Sequence, residues 1–123
     1  MKRMRIALAF ASTLSIAPAF AEEVLFIVCD NGLRCVRAPC PAQDAMEVAT
    51  GAKHRRVSAD FSKLGQADRE RVAATSGTYH GTLVFSGTIG AGPRPRVTAL
   101  RIAHDATPAQ AAACRKRPGP TMR

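Results

Sequence analysis

The stretch Cys29-Asp30-Asn31-Gly32-Leu33-Arg34-Cys35-Val36-Arg37-Ala38-Pro39-Cys40-Pro41 carries three of the four cysteines of the chain. It begins at the end of an apolar, β-branched run, residues 24–29, which is too short for a helix and predicts a buried strand. Asp30-Asn31-Gly32 is expected to end this strand, because Asn and Gly supply the positive φ of a tight turn. Pro39 and Pro41 remove two backbone donors. The stretch therefore predicts a strand that leads into an irregular loop.

The first 21 residues predict an export signal that is cleaved after Ala21. A basic start, Met1–Arg5, precedes an apolar run that ends in Ala19-Phe20-Ala21, and this is the order of a signal peptide. The alternative is a transmembrane anchor, but the apolar run of about 15 residues is shorter than the roughly 20 that span a bilayer. We therefore expect a periplasmic or secreted protein, with no transmembrane segment after cleavage.

The positive charge of the chain is concentrated near its two ends. The full sequence has a net charge of +9, and Lys2, Arg3 and Arg5 belong to the predicted signal, which leaves +6. Arg115, Lys116, Arg117 and Arg123 account for four of the remaining charges. Together with the scarcity of aromatic residues, this argues against nucleic-acid binding, which needs charge on the folded body interleaved with aromatic side chains. The basic end is compatible with an anionic envelope surface, or with a role in solubility alone.

Downstream of the cysteine loop, the pattern predicts strands, a helix and a final hairpin. Residues 44–61 read as a hairpin or as one strand with a bulge near Gly51, and residues 66–76 read as a surface helix that Gly77 ends. We predict strands over 78–89 and 96–104, joined by a Gly/Pro loop, with Leu100 and Ile102 on the buried face of the second. Thr107-Pro108 predicts the start of a short C-terminal helix.

Four cysteines in an exported chain predict two disulfides. We favour Cys35–Cys40 with Cys29–Cys114, which closes a small loop and ties the first strand to the C-terminal helix. Two other pairings stay open: Cys29–Cys35 with Cys40–Cys114, and Cys29–Cys40 with Cys35–Cys114.

Signals for metal, redox or catalytic chemistry are weak. The cysteine spacings C-x5-C and C-x4-C do not match the close pairs of a zinc site, and C-x-x-C is absent. His54, His80 and His104 form no ligand or catalytic motif and are interpreted as surface residues. We therefore predict no catalytic residue, no metal and no cofactor.

The loop Cys35–Cys40 has one sharper interpretation. A disulfide-closed loop that is stiffened by proline and displays a basic residue is typical of protease inhibitors, because rigidity lowers the entropy cost of binding. Arg37 would then be the specificity residue for a trypsin-like protease. The plainer interpretation is a structural loop with Arg37 in solvent.

Three segments in order resemble those of small exported bacterial proteins in families of unknown function. They are the C-x4-C-P loop in residues 32–41, the segment Ala59-Asp60-Phe61-Ser62-Lys63-Leu64-Gly65, and the strand Gly81-Thr82-Leu83-Val84-Phe85-Ser86-Gly87. The resemblance covers about residues 26–103. It is compatible with an α+β domain and with a Cys35–Cys40 disulfide, but it brings no catalytic residue with it.

The sequence as a whole predicts one α+β domain over residues 22–117, followed by a disordered tail, 118–123. We expect an antiparallel sheet of four to five strands, one central helix and a short C-terminal helix. The predicted function is a non-enzymatic envelope or binding module, monomeric, whose partner is a periplasmic or extracellular protein or an anionic envelope surface. The alternative is a protease inhibitor.

Overall fold

The computed structural model describes residues 22–37, 40–90 and 92–117 and has an α+β fold. The predicted export signal and the predicted disordered tail lie outside these residues. The strands are β1 (Val24–Asp30), β2 (Gln43–Glu47), β3 (Lys53–His54), β4 (Ser58–Asp60), β5 (Leu83–Gly90) and β6 (Arg96–Asp105). The helices are α1 (Gln66–Thr75), α2 (Gly77–His80) and α3 (Pro108–Arg115).

The six strands form one sheet in the order β3-β2-β1-β5-β6-β4. The class is as predicted, but the expectation of four to five antiparallel strands is wrong in two respects: there are six strands, and β4 runs parallel to β6. Helices α1 and α2 and strand β5 separate β4 from β6 in the chain. This connection is long enough for β6 to run beside β4 in the same direction.

The sheet closes into a barrel. In the strand order β3 and β4 stand at opposite ends, yet only residues 55–57 separate them in the chain. Across a flat sheet of six strands the ends would be about 24 Å apart, at about 4.8 Å per step. Four residues reach at most about 14 Å. The two ends must therefore meet, and β3 and β4 act as one interrupted strand that joins β2 to β6.

Every side of the barrel contributes side chains to its interior. Phe26 and Phe85 lie opposite each other on β1 and β5, with ring centroids 6.0 Å apart, and both are completely buried. The other buried members of this cluster are Val28, Ala45, Val57, Leu64, Leu83, Val97 and Ala99. The core is thus aliphatic around two phenylalanines, in keeping with the low aromatic content of the chain.

Strand β6 presents a different face from the one expected. Val97 and Ala99 are buried, whereas Leu100 and Ile102 are half-buried. The register against β5 shifts twice, and each shift places two residues of β6 opposite one of β5, so the alternation changes phase along the strand. At the shift between Ser86 and Gly87, Gly87 faces Ala99. A methyl group on Gly87 would overlap the carbonyl oxygen of Thr98. The close approach of the two strands therefore requires glycine here.

The segment after α1 also differs from its prediction. Ser76, not Gly77, takes the left-handed conformation that ends α1, with φ of 48°. Residues 77–80 then form the short helix α2 instead of the beginning of a strand. Local strand propensity is overridden here because the chain must turn sharply to bring β5 beside β1. Hydrogen bonds from the N–H groups of Tyr79, His80 and Gly81 back to Ser76 and Gly77 make that turn.

The helices lie outside the barrel in two places. Asp68 of α1 accepts a hydrogen bond from the Ile102 backbone N–H of β6 at 3.0 Å, and Arg71 forms an ion pair with Asp105 at the end of the same strand. Helix α3 begins with the predicted Thr107 cap and Pro108, and Gln110 completes a capping box. It packs on the outer surface of β1, β2 and β5, where its own Cys114 forms a second apolar cluster with Ile27, Cys29, Met46 and Val84.

The bend between β3 and β4 depends on a largely buried carboxylate. Arg56 occupies the bend with a φ of 54°. Residues other than glycine, asparagine and aspartate rarely adopt this left-handed conformation. Its backbone N–H donates to Oδ1 of Asp44 at 2.9 Å, and the same oxygen accepts from Nδ2 of Asn31 at 3.2 Å. Asp44 is only 8% exposed. The Asp44 side chain of β2 therefore holds both Arg56 at the bend and Asn31 at the beginning of the cysteine loop.

Substitution of Asp44 by alanine should destabilise the fold. Two donors would lose their charged acceptor at a buried site, and this is expected to lower the free energy of unfolding by about 2–3 kcal/mol. Equilibrium urea unfolding measures the change. Asp60→Ala is the matched control, because Asp60 accepts hydrogen bonds from Ser62 in the same way at an exposed position. If the two variants unfold at the same urea concentration, the bend does not depend on Asp44.

Candidate functional site

Two disulfides organise the cysteine stretch. Cys29 is joined to Cys114, with Cα atoms 6.2 Å apart, and Cys35 is joined to Cys40, with Cα atoms 5.5 Å apart. This is the first of the three pairings considered from the sequence. The long bridge attaches α3 to the end of β1, and both of its cysteines are buried. The short bridge closes the loop that holds Arg37.

The base of the cysteine loop is held by local hydrogen bonds. Gly32 has a φ of 78°, as the turn prediction requires, and its N–H donates to the Asp30 carboxylate. The Asn31 backbone N–H donates to the Ala42 carbonyl at 2.9 Å, while its side chain donates to the Pro41 carbonyl at 2.8 Å. These bonds join the beginning of the loop to its end. The loop is therefore anchored on the barrel at both of its ends.

The tip of the loop is presented to solvent. Val36 is fully exposed, and Arg37 beside it is also exposed. Ala38 and Pro39 lie outside the described residues. Arg34, in contrast, is tied back to the barrel by Asp30 at 3.1 Å. Arg37 is thus displayed at the position that the inhibitor interpretation assigned to it, and its role stays a prediction.

The long disulfide brings the basic C-terminal segment to the barrel surface. Directly after Cys114, Arg115, Lys116 and Arg117 line a cavity of about 260 Å³ together with Arg55 and Arg56 of the bend. Asn31, Leu33 and Asp44 complete its lining. The cavity therefore has five basic residues and one acidic residue in its lining, and the Asp44 carboxylate already accepts two hydrogen bonds.

The structure places Arg117 directly on the cysteine loop. A methyl group on Gly32 would overlap the Arg117 guanidinium, so the missing side chain of this glycine makes room for the arginine. On the other side Lys53 of β3 donates to the Lys116 backbone carbonyl. The pKa of Lys53 is lowered, first by burial and then by the nearby positive charge of Arg55. Burial is the larger cause, and the positive charges of Arg55 and Lys116 lower the pKa of Lys53 further.

A second concavity lies beside the first. A groove of about 500 Å³ lies between the cysteine loop and the loop that joins β5 to β6, and the β3–β4 bend forms its floor. Its lining consists of Cys40, Pro41, Arg56, Val57, Ser58, Pro93 and Arg94. Arg56 lines both concavities. We call the 260 Å³ cavity the basic pocket and the second one the barrel groove.

The aromatic residues of the described chain lie away from both concavities. Phe26 and Phe85 are buried in the barrel, and Phe61 packs against Phe85 with ring centroids 5.4 Å apart. Tyr79 is half-exposed on α2, where its hydroxyl lies 3.5 Å from the Arg34 guanidinium. Neither concavity therefore offers an aromatic platform on which a nucleic-acid base could stack.

The histidines do not come together. His54 lies 3.0 Å from a carboxylate oxygen of Glu47, whereas His80 and His104 are exposed on other elements. Within residues 22–37, 40–90 and 92–117, no group of three or more His, Cys, Asp or Glu side chains could hold a metal ion. None of the described helices is long and apolar enough to cross a membrane.

The basic pocket does not follow from the sequence alone. In the sequence, the charges of residues 115–117 belong to an end of the chain that looks separate from the body. The favoured Cys29–Cys114 pairing could have predicted part of the pocket, because it places the residues after Cys114 next to those after Cys29. Nothing in the sequence places Arg55 and Arg56 there, since their position depends on the bend that closes the barrel.

Comparisons with family models, with curated proteins and with solved structures give no match. The site must therefore be interpreted from its own geometry.

The two disulfides should contribute unequally to stability. In the chain-entropy model a bridge across 85 residues contributes about 4–5 kcal/mol, and one across five residues contributes about 2 kcal/mol. We expect the double substitution of Cys29 and Cys114 by alanine to lower the urea midpoint more than that of Cys35 and Cys40. An equal loss in the two variants would contradict the assignment of the long bridge as the main covalent constraint.

Proposed function

We propose that this protein is an exported, non-enzymatic binding module that holds an acidic polymer of the cell envelope or its surroundings in the barrel groove. The observation that carries the proposal is the groove of about 500 Å³ between the cysteine loop and the β5–β6 loop, whose lining includes Arg56 and Arg94 and which shares Arg56 with the basic pocket. The remaining polar groups form no acid–base or nucleophilic constellation among the described residues, so the surface is better suited to binding than to catalysis.

The architecture supports the location. A five-stranded barrel in which β3 and β4 count as one strand has the neighbour order and the parallel third and fifth strands of the oligonucleotide- and oligosaccharide-binding fold. Ligands of that fold lie across the second and third strands, between the loops after the first and fourth strands. The barrel groove occupies the corresponding place here. This support is an analogy at the level of the fold.

The chemistry of the surface indicates which polymers suit it. The absence of aromatic side chains from the lining disfavours bases and favours ligands recognised by charge. Its arginines are exposed, so their attraction for a polyanion is long-range and is screened by salt. An acidic glycan or a comparable polyanion of the envelope fits these properties, and export of the chain would bring the two together.

Binding to a model polyanion tests this proposal. We expect the oxidised protein to bind fluorescent dextran sulfate and not neutral dextran in an anisotropy titration, with an affinity that falls as salt rises. The variant Arg56→Asn with Arg94→Gln removes two cations of the groove, and asparagine tolerates the left-handed bend. Its affinity should fall by about tenfold, in line with the loss of two charge-assisted contacts.

The control is Lys63→Gln with Arg69→Gln, which removes the same charge from residues that line neither concavity. We expect its affinity to stay within about twofold of the unsubstituted protein, because isolated exposed charges contribute little. Equal losses in the two double variants would show that binding follows net charge and would overturn the proposal.

A second candidate function rests on a different observation, the display of Arg37 in a disulfide-closed loop. If this loop inhibits trypsin-like proteases, the oxidised protein should slow trypsin, and Arg37→Ala should abolish the effect, because the specificity pocket of trypsin requires a basic side chain. Arg34→Ala is the matched control, since Arg34 is tied to Asp30 outside the loop. Absence of inhibition, or inhibition that survives Arg37→Ala, contradicts this function.

A further inference from the structure

We propose that the basic pocket is a separate site for a phosphate group with more than one negative charge, and that the Cys29–Cys114 disulfide assembles it. The inference rests on the proposed function in that it treats the protein as a binding module. It adds a second site with its own ligand chemistry, next to the barrel groove.

The charge balance of the basic pocket points to a multiply charged group. Arg55, Arg56, Arg115, Lys116 and Arg117 line it, and Asp44 offsets one of these five charges. A carboxylate or a sulfate ester would bring one negative charge, whereas a phosphomonoester or diphosphate brings about two or more at neutral pH. The larger charge compensates more of the repulsion among the cations.

The kind of side chain and the size of the pocket agree with this ligand. Four of the five cations are arginines, whose planar guanidinium groups pair with phosphate oxygens through two parallel hydrogen bonds. The cavity of about 260 Å³ has room for a phosphate or diphosphate group. Asn31, whose side-chain amide is held by Pro41 and Asp44, lies at its wall.

Two features fix where the backbone of the two basic segments lies before any ligand arrives. Arg56 is fixed through its backbone N–H by Asp44 at the bend. Arg117 rests on the bare backbone of Gly32, three residues beyond Cys114, which is itself bonded to Cys29. The two halves of the pocket belong to segments about 60 residues apart in the sequence, and the disulfide is the covalent link that keeps the C-terminal half on the barrel. Such preorganisation lowers the entropy cost of binding.

The test uses inorganic pyrophosphate as the probe, in isothermal titration calorimetry with the oxidised full chain. We expect Arg55→Gln with Arg117→Gln to weaken pyrophosphate binding by about tenfold or more, because two charge-assisted contacts are lost. Lys63→Gln with Arg69→Gln should leave the affinity within about twofold. Pyrophosphate affinity that is the same in both double variants would overturn the proposal.

Two further variants separate this site from the barrel groove and test its assembly. Arg94→Gln should lower the affinity for dextran sulfate and leave that for pyrophosphate unchanged, since Arg94 lines only the groove.

Substitution of both Cys29 and Cys114 by alanine should weaken pyrophosphate binding in conditions where circular dichroism shows the barrel folded. If that variant does not fold, chemical shift changes on adding pyrophosphate to the unsubstituted protein must centre on residues 55–56 and 115–117. Changes centred elsewhere would contradict the site.

The source of the phosphate is distinguished by vesicles. Phosphatidylcholine vesicles that contain phosphatidic acid present the same phosphomonoester on a membrane. Sedimentation of the protein with these vesicles, reversed by pyrophosphate, would support a lipid headgroup. Binding of pyrophosphate without sedimentation would support a soluble phosphate. Failure of both probes to bind would overturn the phosphate site while leaving the binding of dextran sulfate as an independent result.

Discussion

The hydrogen bond from the Arg56 backbone N–H to Asp44 is the interaction on which the rest of the structure depends. It stabilises a residue with positive φ at the point where one strand leaves β2 and joins β6. Without that change of direction the two ends of the sheet would not meet, and the interior around Phe26 and Phe85 would be open to water. A charged acceptor at a nearly buried position is costly unless its hydrogen bonds are satisfied, and Arg56 and Asn31 satisfy them.

The same bend links the fold to the candidate site. It turns the side chains of Arg55 and Arg56 toward the place where the segment after Cys114 returns to the barrel. The long disulfide then acts on both stability and function, because it attaches the C-terminal helix and positions three further cations. Like charges gathered in this way repel one another, and the charges of Arg55 and Lys116 add to burial in lowering the pKa of the neighbouring Lys53. A bound anion would relieve that repulsion.

Much of the local structure could be predicted from the sequence. The first strand, the Asn31-Gly32 turn, the break at the prolines and the capped C-terminal helix follow from short-range chemistry, which does not depend on distant residues. Apart from the residue that ends α1, the predictions that are wrong involve long-range constraints. The register shifts in β6 changed its buried face, and the turn through Ser76 replaced the beginning of a predicted strand with a short helix.

The sequence by itself determined the α+β class, the positions of most elements and a small set of possible disulfides, because these depend on periodicity, turn residues and cysteine spacing. The tertiary structure alone decided that the sheet closes, that β4 pairs in parallel with β6, and that the basic residues at 55–56 and 115–117 share one pocket. The reason is that strand pairing and the contacts of charged residues join segments far apart in the chain, and no periodic pattern in the sequence shows which segments meet. The cysteines of the stretch that begins at Cys29 therefore indicated the possible disulfides. The barrel determined that the Cys29–Cys114 disulfide brings residues 115–117 to the basic pocket.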